Sequence, residues 1–167
     1  MIFLTVGTQL AFDRLVRSLD EWIGPDHTYP AFAQIGRGEY LPRHISYERY
    51  LEPESYQKYL DAAQVVVGHC GIGTILSCND RGIPVVVVPR RYDLNEHRND
   101  HQIATARQVE ARGLAQVVYD ERELGGILRQ VLEGNETPRA EHAERERLAQ
   151  NLNRVVNRVL GTAGELP

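Results

Sequence analysis

Lysine is nearly absent from this sequence. Lys58 is the only one, and arginine supplies the rest of the 19 basic residues. An anion held by this chain is therefore held by guanidinium groups, planar and able to bond it through two N–H groups at once. A basic excess is missing too: the 23 acidic residues leave a formal net charge of −4, which disfavours a polyanion such as nucleic acid as partner. Cysteine is scarce. Cys70 and Cys78 have the spacing of neither a zinc site nor a disulfide framework, and two reduced thiols in a cytoplasmic protein are expected. Long apolar runs are also lacking, since none approaches the roughly 20 residues that cross a bilayer. Met1 leads into the strand-like IFLTV rather than into a basic and then apolar leader. A soluble chain is expected, with any membrane association borrowed from a partner.

What is present is globular in kind. The 167 residues are 42% hydrophobic and 25% charged, the size of one domain with a full core. Short β-rich runs at 2–6, 31–36, 45–51, 64–68, 83–89 and 114–119 alternate with helical patterns at 12–22, 54–63, 74–82, 101–113 and 121–134. The valine runs at 65–67 and 85–88 suit strands buried on both faces. Phe12, Leu15, Val16, Leu19, Trp22 and Ile23 share one helical face. Strand and helix in alternation predict an α/β fold, a Rossmann-like, doubly wound parallel sheet. That domain is expected over 1–134. Beyond the linker-like GNETP, residues 135–167 form a helical extension whose stripe of Leu148, Leu152, Val155, Val156, Val159 and Leu160 packs on the domain or on a partner.

Three polar features fall where the carboxyl ends of such strands bind ligands. The first is the turn Gly7, Thr8, Gln9, between the first strand and the first helix. The second is GHCGIGT at 68–74, which brings Gly68, Gly71 and Gly73 to a helix N-terminus. There, backbone N–H groups, the helix dipole and the Thr74 hydroxyl suit a phosphate, and His69 offers an imidazole. The third is the loop PRRYDLNEHRNDHQ at 89–102, with Arg90, Arg91, Arg98, His97, His101 and Gln102. Neither an HExxH motif nor a DxD pair occurs, so no metal is expected. The turn lacks the Walker spacing and a clean GxGxxG. GTQLAF lacks the second and third fingerprint glycines, and no acid ends the second strand, which leaves a dinucleotide-dependent oxidoreductase as a weaker third option.

Together, VGTQLAFDRLV, GHCGIGTILSCNDRGIPVVVVPRR and EHRNDHQIATA resemble the C-terminal, donor-binding domain of family 28 glycosyltransferases of the GT-B fold. The likeness covers about residues 1–130. It is nearest to small bacterial polysaccharide-synthesis subunits of the PssE/EpsF type, which also resemble the small catalytic subunit of the eukaryotic dolichol-linked N-acetylglucosaminyltransferase. The resemblance implies that His69, Gly71, Gly73 and Thr74 hold a donor diphosphate, with Gly7, Thr8 and Gln9 close by on the acceptor side. It implies that His101 and Gln102 contact donor-sugar hydroxyls, with Arg98 near them. Tyr50 and Leu51 correspond approximately to the pair lining a uracil pocket. Ser77 stands where many relatives place a ribose-binding glutamate.

A GT-B enzyme needs two such domains, and one is present here. The resemblance therefore implies a UDP-sugar-dependent hexosyltransferase active with a separate, membrane-anchored, acceptor-binding subunit. Transfer to a lipid-linked saccharide, with inversion, in exopolysaccharide or capsule biosynthesis is the expected reaction. The expected place is the cytoplasm, peripheral to the inner face of the membrane, with no cofactor besides the donor substrate. Arg90, Arg91 or Arg98 is expected to assist. The general base is expected on the partner. A non-catalytic accessory subunit that stabilises a partner glycosyltransferase is the alternative.

Overall fold

The computed structural model describes residues 1–26, 29–98 and 101–134. Strand and helix alternate as expected. Six strands run parallel in one sheet: β1 (Ile2–Thr5), β2 (Ala31–Gln34), β3 (Ser46–Glu48), β4 (Val65–His69), β5 (Val85–Val88) and β6 (Gln116–Val117). The helices are α1 (Asp13–Ile23), α2 (Pro53–Asp61), α3 (Ile72–Asp80), α4 (His101–Ala111) and α5 (Leu124–Leu132), with a 3-10 turn (Glu121–Glu123) before the last.

The valine runs explain why β4 and β5 lie inside. Successive strand residues point to opposite faces, so a strand covered on both sides must be apolar at every position. Ile2, Leu4, Val65, Val67, Val86 and Val88 pack on one face against Leu15, Leu19, Leu124 and Leu128 of α1 and α5. Phe3, Val66, Val85 and Val87 pack on the other against Leu60, Ile75, Ala106 and Val109 of α2, α3 and α4. Truncating a side chain as buried as Leu19 or Ile75 to alanine costs about 2–5 kcal/mol.

The sheet order is β3-β2-β1-β4-β5-β6. Chain direction across the sheet therefore reverses between β1 and β4, and the crevice beyond their carboxyl ends is where folds of this kind bind ligands.

Two boundary differences bear on the expected site residues. The run at 45–51 contracts to Ser46–Glu48, an edge strand paired with β2 alone. The helix expected from residue 74 begins at Ile72, which moves Gly73 and Thr74 into its first turn. The helical stripe at 148–160 lies outside the described residues, so the 135–167 extension is not placed.

One buried charge shapes the loop between β2 and β3. Asp20 on α1 is fully buried and accepts from the Tyr40 hydroxyl at 2.7 Å and from the backbone N–H groups of Arg43, His44 and Ile45 at 2.9, 2.8 and 3.1 Å. Burial alone would raise its pKa, but these four donors outweigh it and hold the carboxyl below its ordinary value.

Candidate functional site

The first two polar features meet at His69, the last residue of β4. A Cβ built on Gly7 would lie 3.0 Å from His69 Cε1, and one on Gly71 would overlap His69 Nε2. The ring thus sits between the glycine of the β1 turn and the glycine of the β4 turn. Gly7 is doubly required, because its φ of 74° is a left-handed conformation that side chains disfavour. His69 Nδ1 is buried without a hydrogen-bond partner among the described residues. Burial first, and then the neighbouring Arg90 and His97, push the imidazole pKa down to about 4, against a smaller upward pull from the Thr5 backbone. At neutral pH the ring is therefore uncharged and carries one N–H donor.

Beside the imidazole is the N-terminus of α3. Gly71 is its N-cap and offers no side-chain cap. The first intrahelical bond runs from Ile75 N–H to the Gly71 carbonyl at 3.2 Å. The amides of Ile72, Gly73 and Thr74 come before it, at the positive end of the helix dipole, where helices bind anions. A Cβ on Gly73 would meet nothing within 4 Å, and its φ is not left-handed. The chain's own packing does not call for glycine there, whereas close approach of an anion to the amides does. Thr74 faces Tyr56 of α2: burial raises the pKa of that phenol, while contacts with Thr74 and Thr5 lower it.

The third feature divides. Arg90, expected to assist at the ligand, is 2% exposed and is spent on the protein. Its guanidinium donates to the carbonyls of Val6 at 2.7 Å, Leu10 at 2.9 Å and Ala11 at 2.6 Å, and lies 4.8 Å from the Phe12 ring centre. Those carbonyls flank Gly7, Thr8 and Gln9, so Arg90 shapes the first turn. Arg91 is engaged with Asp93 at 3.0 and 2.5 Å. Arg98 is exposed at the end of the loop.

Gln102 lies in the first turn of α4 and accepts from the Arg90 backbone N–H at 3.0 Å. Because that partner is a donor, the amide oxygen is fixed there and the NH₂ end of Gln102 is the part left to meet a hydroxyl. His101 opens α4 and is exposed, as are Thr8 and Gln9.

The proposed base and ribose residues share the α2–α3 face. Leu51 packs in the same apolar cluster as Ile72 and Ile75, and Tyr50 beside it is 47% exposed. Ser77 follows Thr74 by three residues on α3, so the two side chains are neighbours on the helix. The Ser77 carbonyl accepts from Arg81 at 3.0 Å, and Arg81 also reaches Gln57 and Asp61 of α2. Both cysteines are free and buried, and burial pushes their thiols up to about 12, leaving them protonated. Among the described residues, no His/Cys/Asp/Glu group is clustered to hold a metal.

Sequence reasoning did not single out Arg14 and Glu96. Arg14 on α1 forms a two-bond pair with Glu96 at 2.8 and 2.8 Å and donates to Glu121 at 2.7 Å. Nothing in their spacing, 82 residues apart, announces the pairing; it exists through tertiary packing alone.

A profile of the glycosyltransferase family 28 C-terminal domain matches residues 1–158. The chain belongs to that family. It is 31% identical over 126 residues to the human "UDP-N-acetylglucosamine transferase subunit ALG13", a match covering 67% of this chain and 10% of that protein. The chain thus spans about a tenth of the length of that curated relative. In architecture it is similar to the glycosyltransferase of kitacinnamycin (TM-score 0.60, 24% identity, 89% of this chain and 37% of that one). It is also similar to the calicheamicin glycosyltransferase CalG4 (TM-score 0.57, 18% identity, 95% and 43%). The fold is the Rossmann-like α/β architecture found in GT-B glycosyltransferases.

Proposed function

We propose that this chain is the donor-binding part of an inverting glycosyltransferase. It would move a sugar from a UDP-sugar to a lipid-linked saccharide in exopolysaccharide or capsule biosynthesis. The observation that carries the reading is the uncharged His69, wedged between Gly7 and Gly71 beside the uncapped amides of Ile72, Gly73 and Thr74. The family and the ALG13 relative, itself called a UDP-N-acetylglucosamine transferase subunit, support a UDP-sugar as donor and a second polypeptide as partner.

In this reading the donor diphosphate rests on the α3 amides, with the Thr74 hydroxyl beside it and the first turn of Gly7, Thr8 and Gln9 opposite. As the bond from sugar to phosphate breaks, charge grows on the departing UDP. Fixed amides, the helix dipole and the single N–H of a neutral imidazole stabilise that charge without a metal. The Gln102 NH₂ group, and His101 and Arg98 near it, take the sugar. Tyr50, Leu51 and Ser77 take the nucleoside, Ser77 making one ribose contact where a carboxylate makes two. The acceptor, and the base that deprotonates its hydroxyl, belong to a membrane-anchored partner subunit, which holds this chain at the inner membrane face.

Co-expression with the partner followed by a transfer assay tests the reading. His69→Ala is expected to lose most turnover from the UDP-sugar while the chain still folds and associates with the partner. Wild-type turnover in that variant would instead favour an accessory subunit that stabilises the partner.

A further inference from the structure

The exit of β5 is gripped from two directions. Arg90 and Arg91 are consecutive residues just beyond the strand, and consecutive amides of an extended chain point to opposite sides. The Arg90 N–H donates to Gln102 Oε1 at 3.0 Å and the Arg91 N–H to Glu96 Oε2 at 3.0 Å. The Glu96 carboxylate is also joined to Arg14 of α1 by two bonds of 2.8 Å, the two side chains being only 10% and 14% exposed. Arg14 continues to the Pro89 carbonyl at 3.2 Å and to Glu121 at 2.7 Å. Arg90 meanwhile reaches the carbonyls of Val6, Leu10 and Ala11 around the first turn.

A charge-assisted, two-bond pair fixes orientation as well as distance. Glu96 therefore fastens the segment that presents the Arg90 N–H to α1, and that N–H is what holds the Gln102 oxygen.

We propose that Glu96 is a positioning residue for Gln102. It touches no substrate; it fixes the β5 exit so that the Gln102 amide is held with its oxygen inward and its NH₂ group as the end that meets a ligand hydroxyl. The inference deepens the donor-sugar reading and rests on it for the identity of that ligand.

The test is Glu96→Gln in the full chain, which keeps the shape and removes the charge. Amide hydrogen exchange is read at Arg90, whose N–H reports the bond to Gln102 directly, and at Val86 and Val87 of the same strand. The Arg90 amide is expected to exchange about tenfold faster while the β5 amides are unchanged. Calorimetry with UDP and with UDP-N-acetylglucosamine follows. UDP affinity is expected to stay within about twofold, while any additional affinity due to the sugar is lost. An unchanged Arg90 amide overturns the proposal, as does acceleration of all three amides together, since that would be general loosening. Failure of the wild-type chain to bind UDP would count against the donor reading, while the exchange result still decides the role of Glu96.

Discussion

Gly71 and His69 occupy each other's space: a methyl group on Gly71 would overlap the imidazole Nε2. Gly73, two residues on, has nothing within 4 Å of where its Cβ would be. Two glycines in one turn thus serve different ends, and substitution separates them. Gly73→Ala is expected to leave the fold as stable or up to about 1 kcal/mol more stable, because alanine is the better helix former. The same change should weaken UDP binding at least about tenfold by covering the α3 amides. Gly71→Ala is expected to cost about 1–3 kcal/mol by displacing the imidazole. Thermal melts and UDP titrations of the two variants check the pair; a Gly73→Ala protein that binds UDP normally contradicts it.

His69 gives the fold a specific pH dependence. Its pKa is about 4 in the fold against about 6.5 in the unfolded chain. The unfolded chain therefore binds more protons between these values, and stability falls as pH drops below about 6.5. Between pH 7.5 and pH 5 the loss through this residue is about 2 kcal/mol. Urea denaturation of wild type and His69→Asn at both pH values measures it. The wild type is expected to lose about 2 kcal/mol more than the variant, whereas equal losses would show that the imidazole titrates normally.

The arginines of the 89–102 loop are expected to divide in the same way. Arg90→Lys replaces a fork that reaches three carbonyls with a compact ammonium and should cost about 2–3 kcal/mol, with or without ligand. Arg98→Ala, at an exposed position, should change stability by less than about 0.5 kcal/mol, so any effect on transfer arises at the donor sugar. Melting curves of the two variants separate a structural arginine from one available to the ligand.

These contrasts mark what could be read from residues alone. The valine runs announced β4 and β5 because a strand buried on both faces has no room for polarity. The glycine turns announced the α3 N-terminus to within two residues. The start of α3 was read late because Gly71 is an N-cap without the hydroxyl or carboxylate that ordinarily signals one. The fate of Arg90 was hidden for a different reason. An arginine beside a glycine turn looks the same in sequence whether it faces an anion or three carbonyls contributed some 80 residues earlier. Arg14 with Glu96, and Asp20 with its four donors, were invisible on the same ground: each is a long-range contact with no local pattern.

The most direct measurement is calorimetric titration of UDP into the full chain, with EDTA present, alongside Gly73→Ala. Saturable binding to the wild type without metal, weakened at least about tenfold in the variant, is what a diphosphate seated on the α3 amides predicts. No heat of binding at millimolar UDP, or equal binding by both proteins, would contradict it.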